Sequence, residues 1–252
     1  MRKISIFLFI VMLLILFAGC GTSDNEIEIG VILPLTGELS FKAQSHKAAL
    51  ETALFEVNEY LKNSDQDFNL SLNIKDSKGV PDKAADILRE FHNEGISVCI
   101  GPLTSEEVLA VKPIADENDI LILSPSSTAP SLAENDNIYR FAPTDINQAE
   151  AIFSLLLSEG FVGVMPIYRN DSYGKDFFNQ LKLSDELLVF NGVSYDAENL
   201  DKGKVAEELN DAADFFIEQD IDLNEIAVLN IGFSEAADIM EAAGRYENLK
   251  KL

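Results

Sequence analysis

The chain has 252 residues, 47% hydrophobic and 25% charged, which is enough apolar material for a sizeable core and a length that suits two small domains. Its 43 acidic residues against 19 basic ones leave a formal net charge of -24. So acidic a surface repels phosphate backbones and anionic lipid headgroups, which excludes nucleic acid as a partner; the plainest use of the charge is solubility.

Arg2 and Lys3 precede an apolar run over 4–17, broken only by Ser5, that closes on Ala18, Gly19 and Cys20. This order reads as a secretory signal, its apolar stretch too short for a comfortable membrane span. The Cys directly after Ala-Gly resembles the lipobox of prokaryotic lipoproteins. That resemblance implies a signal over 1–19, a lipid on Cys20, and residues 20–27 as a tether outside the cytoplasmic membrane; the alternative is an ordinary cleaved signal. With Cys20 lipidated, Cys99 has no partner, and its place in the apolar run Ile96-Ser-Val-Cys-Ile100 reads as an inert buried strand thiol.

From residue 28 strand and helix signals alternate. A strand over 29–33 ends at Pro34 and Gly37, and a helix over 44–61 follows with Ala49, Ala53, Val57 and Leu61 as its inward stripe. Next come a strand over 69–74 and a helix opened by Gly79 and Pro81, with Ala84, Ile87, Leu88 and Phe91 facing inward. Strands over 98–100, 120–123 and 138–141, with a helix over 106–117, complete a mostly parallel, doubly wound α/β sheet. Pro143-Thr-Asp145 breaks the pattern, giving one lobe over 28–142 and a hinge over 143–147. A second series fills 148–252: helices over 148–158, 173–183, 204–219 and 235–243, and strands over 162–168, 187–190 and 226–231.

Two hydroxyl-rich loops, Gly101-Pro-Leu-Thr-Ser105 and Ser124-Pro-Ser-Ser-Thr128, each follow an apolar strand, where open α/β sheets bind ligands. Such loops suit a small carboxylate. Taken in order with Ile29-Gly-Val-Ile-Leu-Pro-Leu-Thr-Gly37, Phe55-Glu-Val-Asn58, Asp76, Gly79-Val-Pro81, Tyr139-Arg-Phe141, Asp145, Gln148 and Asp171-Ser-Tyr-Gly174, they closely resemble the branched-chain amino acid type of periplasmic binding protein, the type I solute receptors of ABC transporters. The resemblance covers nearly all of 28–243 and implies two doubly wound lobes that close on a ligand.

It also implies roles. Ser105 and Thr128 become hydroxyl donors to the ligand carboxylate, and the backbone of Ser126 and Ser127 lies near the ammonium. From the second lobe, Tyr173 covers the pocket and Glu235 is the ammonium's countercharge. Read without the resemblance, Ser105 and Thr128 are equally helix N-caps, Tyr173 is core packing and Glu235 is a solvated first-turn acid. Lys42 departs from the family, which often carries an aromatic there; that disfavours an aliphatic ligand and leaves Phe41 to supply an apolar wall. The chain ends at Lys250-Lys-Leu252, before the family's return crossing to the first lobe, so the expectation is a partial second lobe. The implied partners are a small amino acid-like ligand, ABC permease subunits and, through the lipid, the membrane. A sensory receptor on the same fold and a truncated non-binding remnant are the rival readings.

Enzyme motifs are missing. His46 and His92 lie far apart on helices without a metal-binding motif, and no nucleophile elbow or phosphate-cradling Gly loop occurs. No cofactor or metal is implied. The pairs Glu106-Glu107 and Glu207-Glu208 read as solvated helix positions.

Overall fold

The computed structural model describes residues 25–183 and 185–251; the signal, Cys20 and most of the expected tether lie outside them. In the first lobe β1 (Asn25–Leu33), β2 (Phe68–Asp76), β3 (Val98–Ile100), β4 (Leu121–Ser124) and β5 (Ile138–Arg140) form one sheet in the order β2-β1-β3-β4-β5. Every pairing is parallel. The connections are α1 (Ser40–Asn63), α2 (Pro81–Asn93), α3 (Ser105–Glu117) and, before β5, the short 3-10 turn Pro130–Leu132. Both faces of β1 are covered: Ile32 packs with the apolar stripes of α2 and α3, while Val31 and Leu33 pack against Ala43 of α1. A parallel strand buried on both faces explains why its sequence is a continuous apolar run.

The second lobe carries α4 (Asp145–Ser158), β6 (Gly163–Arg169), α5 (Ser172–Leu181), β7 (Leu188–Val189), β8 (Val193–Tyr195), α6 (Lys202–Glu218), β9 (Ile226–Ile231) and α7 (Ala236–Ala243). β6 is its centre. β9 pairs along Gly163 to Tyr168, so β7 and β8, which meet opposite ends of β6, share its other edge. Helices α6 and α7 cover one face around Ile167, Leu209 and Ile239, and α4 and α5 cover the other around Phe177, Phe178 and Ile231.

The stripe Ala84, Ile87, Leu88 and Phe91 is buried as expected. The first helix differs in phase. Ala49, Ala53 and Val57 are exposed, Ala43 and Leu50 turn inward instead, and Leu61 alone of the expected stripe is half-buried. Apolar residues run all round this helix, so spacing alone did not choose the face. Two tertiary contacts choose it: Ala43 against the β1 side chains, and Asn58, whose amide donates to the Leu70 carbonyl at 2.9 Å and accepts from the Leu70 N–H at 2.8 Å. The helix expected over 148–158 begins earlier, at Asp145, after extended Thr144. The strand at 187–190 is shorter too, and β8 follows it, because Gly192 turns the chain at φ +78° where any Cβ would press on the rings of Phe178 and Tyr168.

Candidate functional site

In a parallel sheet of order 2-1-3-4-5 the direction of winding reverses between β1 and β3, and the crevice outside the carboxyl ends of those strands is the natural binding place. A cavity of about 610 Å³ opens there. Its first-lobe wall comes from segments after β1 (Glu38, Leu39, Lys42), after β2 (Lys78, Gly79, Pro81), after β3 (Leu103 to Glu106) and after β4 (Ser126, Thr128). The second lobe faces it with segments after β6 (Arg169 to Asp171, Tyr173), after β8 (Asp196 to Glu198) and after β9 (Phe233). Both sheets thus point their strand ends at one space.

The hydroxyl loops are stitched to each other. Ser124 Oγ donates to the Pro102 carbonyl and Ser126 Oγ to the Leu103 carbonyl, both at 2.7 Å. Ser105 Oγ lies 3.0 Å from Ser127 Oγ and accepts from the Ala129 N–H at 3.3 Å. Neither Ser105 nor Thr128 is a helix cap. Thr104 caps α3, accepting from the Glu107 N–H while the Glu107 carboxylate accepts from the Thr104 N–H, a reciprocal box. Gly101 permits the close packing behind this loop: at φ +94° a Cβ there would collide with the Ile32 carbonyl.

Several expected roles change. Thr128 lines the cavity, yet its only proton goes to Asp145 Oδ2 at 3.0 Å, which leaves the hydroxyl oxygen as an acceptor and not as the expected donor. Ser127 is buried behind the wall, its N–H turned onto Ser124 Oγ at 3.4 Å. Ser105 and Ser126 do line the cavity, with both hydroxyls committed to the loop junction. Tyr173 lines it as expected and stacks on Phe233 with ring centroids 5.6 Å apart and planes 2° from parallel. Glu235 does not reach the cavity as a free countercharge. Its Oε1 accepts from Arg169 Nη1 at 2.8 Å and from Tyr195 OH at 2.7 Å, and its Oε2 accepts from the Phe233 N–H at 3.1 Å. Phe41, the proposed apolar wall, is 85% exposed and outside the lining. Glu107 is fully buried in its capping box, and Glu106 accepts from the Ser172 N–H at 2.9 Å, so neither is the solvated acid expected from sequence.

The lobes touch beside the cavity as well. Besides the Glu106 to Ser172 bond, the Ser131 N–H donates to Asp176 at 2.8 Å and Ser234 Oγ to Glu38 at 2.8 Å. The Glu38 carboxylate stands next to that of Glu235, with Arg169 3.8 Å away. Burial first, then this neighbour, raises the Glu38 carboxyl above its ordinary range. Burial pushes Glu235 up too, but its hydrogen bonds from Glu38 and Tyr195 and the charge of Arg169 outweigh that and hold it well below the usual range. Asp145, wholly buried, is pushed up to about 6 by desolvation, which the Thr128 hydrogen bond only partly offsets. The lining residues Arg169, Lys78, Glu198 and Phe233 were missed in the sequence. The end of an expected strand was the available signal for Arg169, Lys78 and Phe233, whereas Glu198 follows β8, which the sequence did not signal.

A family model described as periplasmic binding protein matches residues 26–186. The chain belongs to that family. Periplasmic binding proteins work outside the cytoplasmic membrane and are solute-binding receptors. This one is 31% identical over 69% of its length to the uncharacterized protein MJ1266 of Methanocaldococcus jannaschii, and 28% identical over 74% to the Leu/Ile/Val-binding protein BraC3 of Rhizobium johnstonii. It spans less than half of these relatives, 43% and 47% of their lengths. Among solved structures, an ABC transporter substrate-binding protein of Desulfitobacterium hafniense in complex with Leu shares the fold, with a TM-score of 0.64 at 22% identity over 88% of this chain and 63% of that one.

Proposed function

We propose that this periplasmic binding protein is a lipid-anchored receptor that captures an amino acid or a related small carboxylate or amide and delivers it to an ABC permease, with no chemistry performed on the solute. The observation that carries this reading is the cavity that the strand ends of both sheets share, floored by the stitched hydroxyl loops and the N-terminus of α3. Loop amides, a helix N-terminus and the Thr128 oxygen together offer donors for a carboxylate and an acceptor for an ammonium. The relatives named for Leu, Ile and Val binding support the amino acid class. The anchor rests on Cys20 and the charged, apolar, small-residue order before it.

A thermal-shift screen of the purified protein against amino acids, amides and small carboxylates tests capture. A bound solute at a hundredfold excess over Kd stabilises the native state by about 2.7 kcal/mol, a readily seen shift. No shift with any of them would refute the receptor reading. Cys20→Ser should release the protein from membranes, and a variant still retained there would refute the anchor.

A further inference from the structure

We infer that the cleft selects a solute of net negative charge, an acidic amino acid, over an aliphatic one. The inference rests on the receptor reading above and names its solute class. Among the eight charged side chains of the lining, most are already satisfied within the protein. Arg169 is held by Asp171 at 2.7 Å and Glu235 at 2.8 Å. Asp196 accepts from the N–H groups of Glu198 and Asn199 and from the Asn199 side chain. Glu38 takes Ser234, and Glu106 takes the Ser172 N–H. Among the described residues Lys42, Lys78 and Glu198 remain, with neither an ion pair nor a side-chain hydrogen bond; Glu106 and Asp196 have no ion pair but are held by the hydrogen bonds named above.

The two lysines are placed, not loose. Lys42 sits on the first turn of α1 with its Nζ 5.7 Å from the Phe233 ring centroid, across the cleft. Lys78 has a left-handed backbone at φ +61°, a conformation uncommon for a side chain-bearing residue. Asp76 fixes that turn by accepting from the Lys78 N–H at 2.9 Å, Thr36 Oγ1 at 2.6 Å and the Thr36 N–H at 3.2 Å. Strain retained at a cleft rim and held by a dedicated carboxylate is a mark of a functional position.

Charge and surface then agree. Two ammoniums and one carboxylate that take no hydrogen bond or ion pair from the protein are matched by a solute with two carboxylates and one ammonium. The apolar lining is too broken for an aliphatic side chain: Leu39, Pro81, Leu103 and Ala197 are interspersed among charged groups, and Phe233 is flanked by Tyr173, Arg169 and Lys42. Closing over leucine would strip water from both lysines and give a counterion to only one of them. A second carboxylate on the solute removes that cost.

Calorimetric titration of the purified protein with L-glutamate, L-aspartate, glutarate, L-leucine and L-arginine tests the inference. One of the two acidic amino acids should bind at least about tenfold tighter than leucine, with arginine weakest. Lys42→Met and Lys78→Met should each weaken that binding by about tenfold and leave the solute-free melting temperature unchanged. Glu198→Gln should narrow the preference for glutamate over glutarate. Leucine binding tighter than both acidic amino acids, or lysine variants that bind them as the wild type does, overturns the inference and leaves the receptor reading standing. Binding of none of the five overturns the inference, and the receptor reading then stands or falls on the broader thermal-shift screen.

Discussion

Arg169 Nη1 lies 2.8 Å from Glu235 Oε1, and Tyr195 OH approaches the same oxygen at 2.7 Å. The pair joins the end of β6 to the start of α7, and Glu38 of the first lobe leans on it. The Glu235 carboxylate is therefore taken up within the protein. Glu235→Gln should cost about 1–3 kcal/mol, because it leaves the half-buried Arg169 with Asp171 and the more distant Glu38. Each kcal/mol lowers Tm by about 2–4 °C at this size. A loss of solute affinity with an unchanged Tm would instead return Glu235 to the binding surface.

Thr128 and Ser105 should respond differently. Thr128→Val keeps the shape but removes the acceptor that faces the cavity, and solute affinity should fall about tenfold, near 1.4 kcal/mol. Ser105→Ala removes an oxygen held by Ser127 and Ala129, so its effect should fall on Tm with little change in affinity. Titration calorimetry and thermal unfolding of both variants separate the two. Wild-type affinity in Thr128→Val would reduce that hydroxyl to a partner of Asp145.

Asp145 gives the fold a specific pH dependence. Its folded pKa is raised to about 6, above the ordinary aspartate value near 4, so between those pH values the folded protein holds a proton that the unfolded chain has released. Stability from this group is therefore full below about pH 4 and is lost as pH rises through 6. Asp145→Asn keeps an acceptor for Thr128 and removes the titration. At pH 7 the variant should be up to about 2 kcal/mol more stable than the wild type, and at pH 4 the gain should vanish. The other shifted carboxylates act equally in both proteins, so the difference between the two Tm curves isolates this one. Parallel curves from pH 4 to 7 would sink the assignment.

Cys99 should be inert. It is fully buried in β3, and desolvation drives its thiol far above the ordinary range. In a Cys20→Ser background an aromatic disulfide reagent should label nothing in native buffer and one thiol in denaturant. Rapid native labelling would show that β3 opens readily.

Much of the fold was legible because it rests on local signals. Continuous apolar runs marked β1, β3 and β9, Pro81 and the 84–91 stripe marked α2, and hydroxyl residues directly after β3 and β4 marked one wall of the cavity. The face of α1 was not legible, since Phe41, Phe55 and Tyr60 put apolar residues on the side that stays exposed. Which charges are free was not legible either. By sequence Glu235 was the ammonium's partner, Glu106 and Glu107 were solvated acids and Lys42 was a puzzle. Periodicity constrains residues three or four apart, whereas Arg169 with Glu235 and Glu106 with Ser172 are each 66 positions apart. The sequence by itself determined two α/β lobes and the strand ends where a ligand would sit. Only the tertiary structure decided which of the cleft's ionisable groups are satisfied within the protein, because that depends on distances set when the lobes meet.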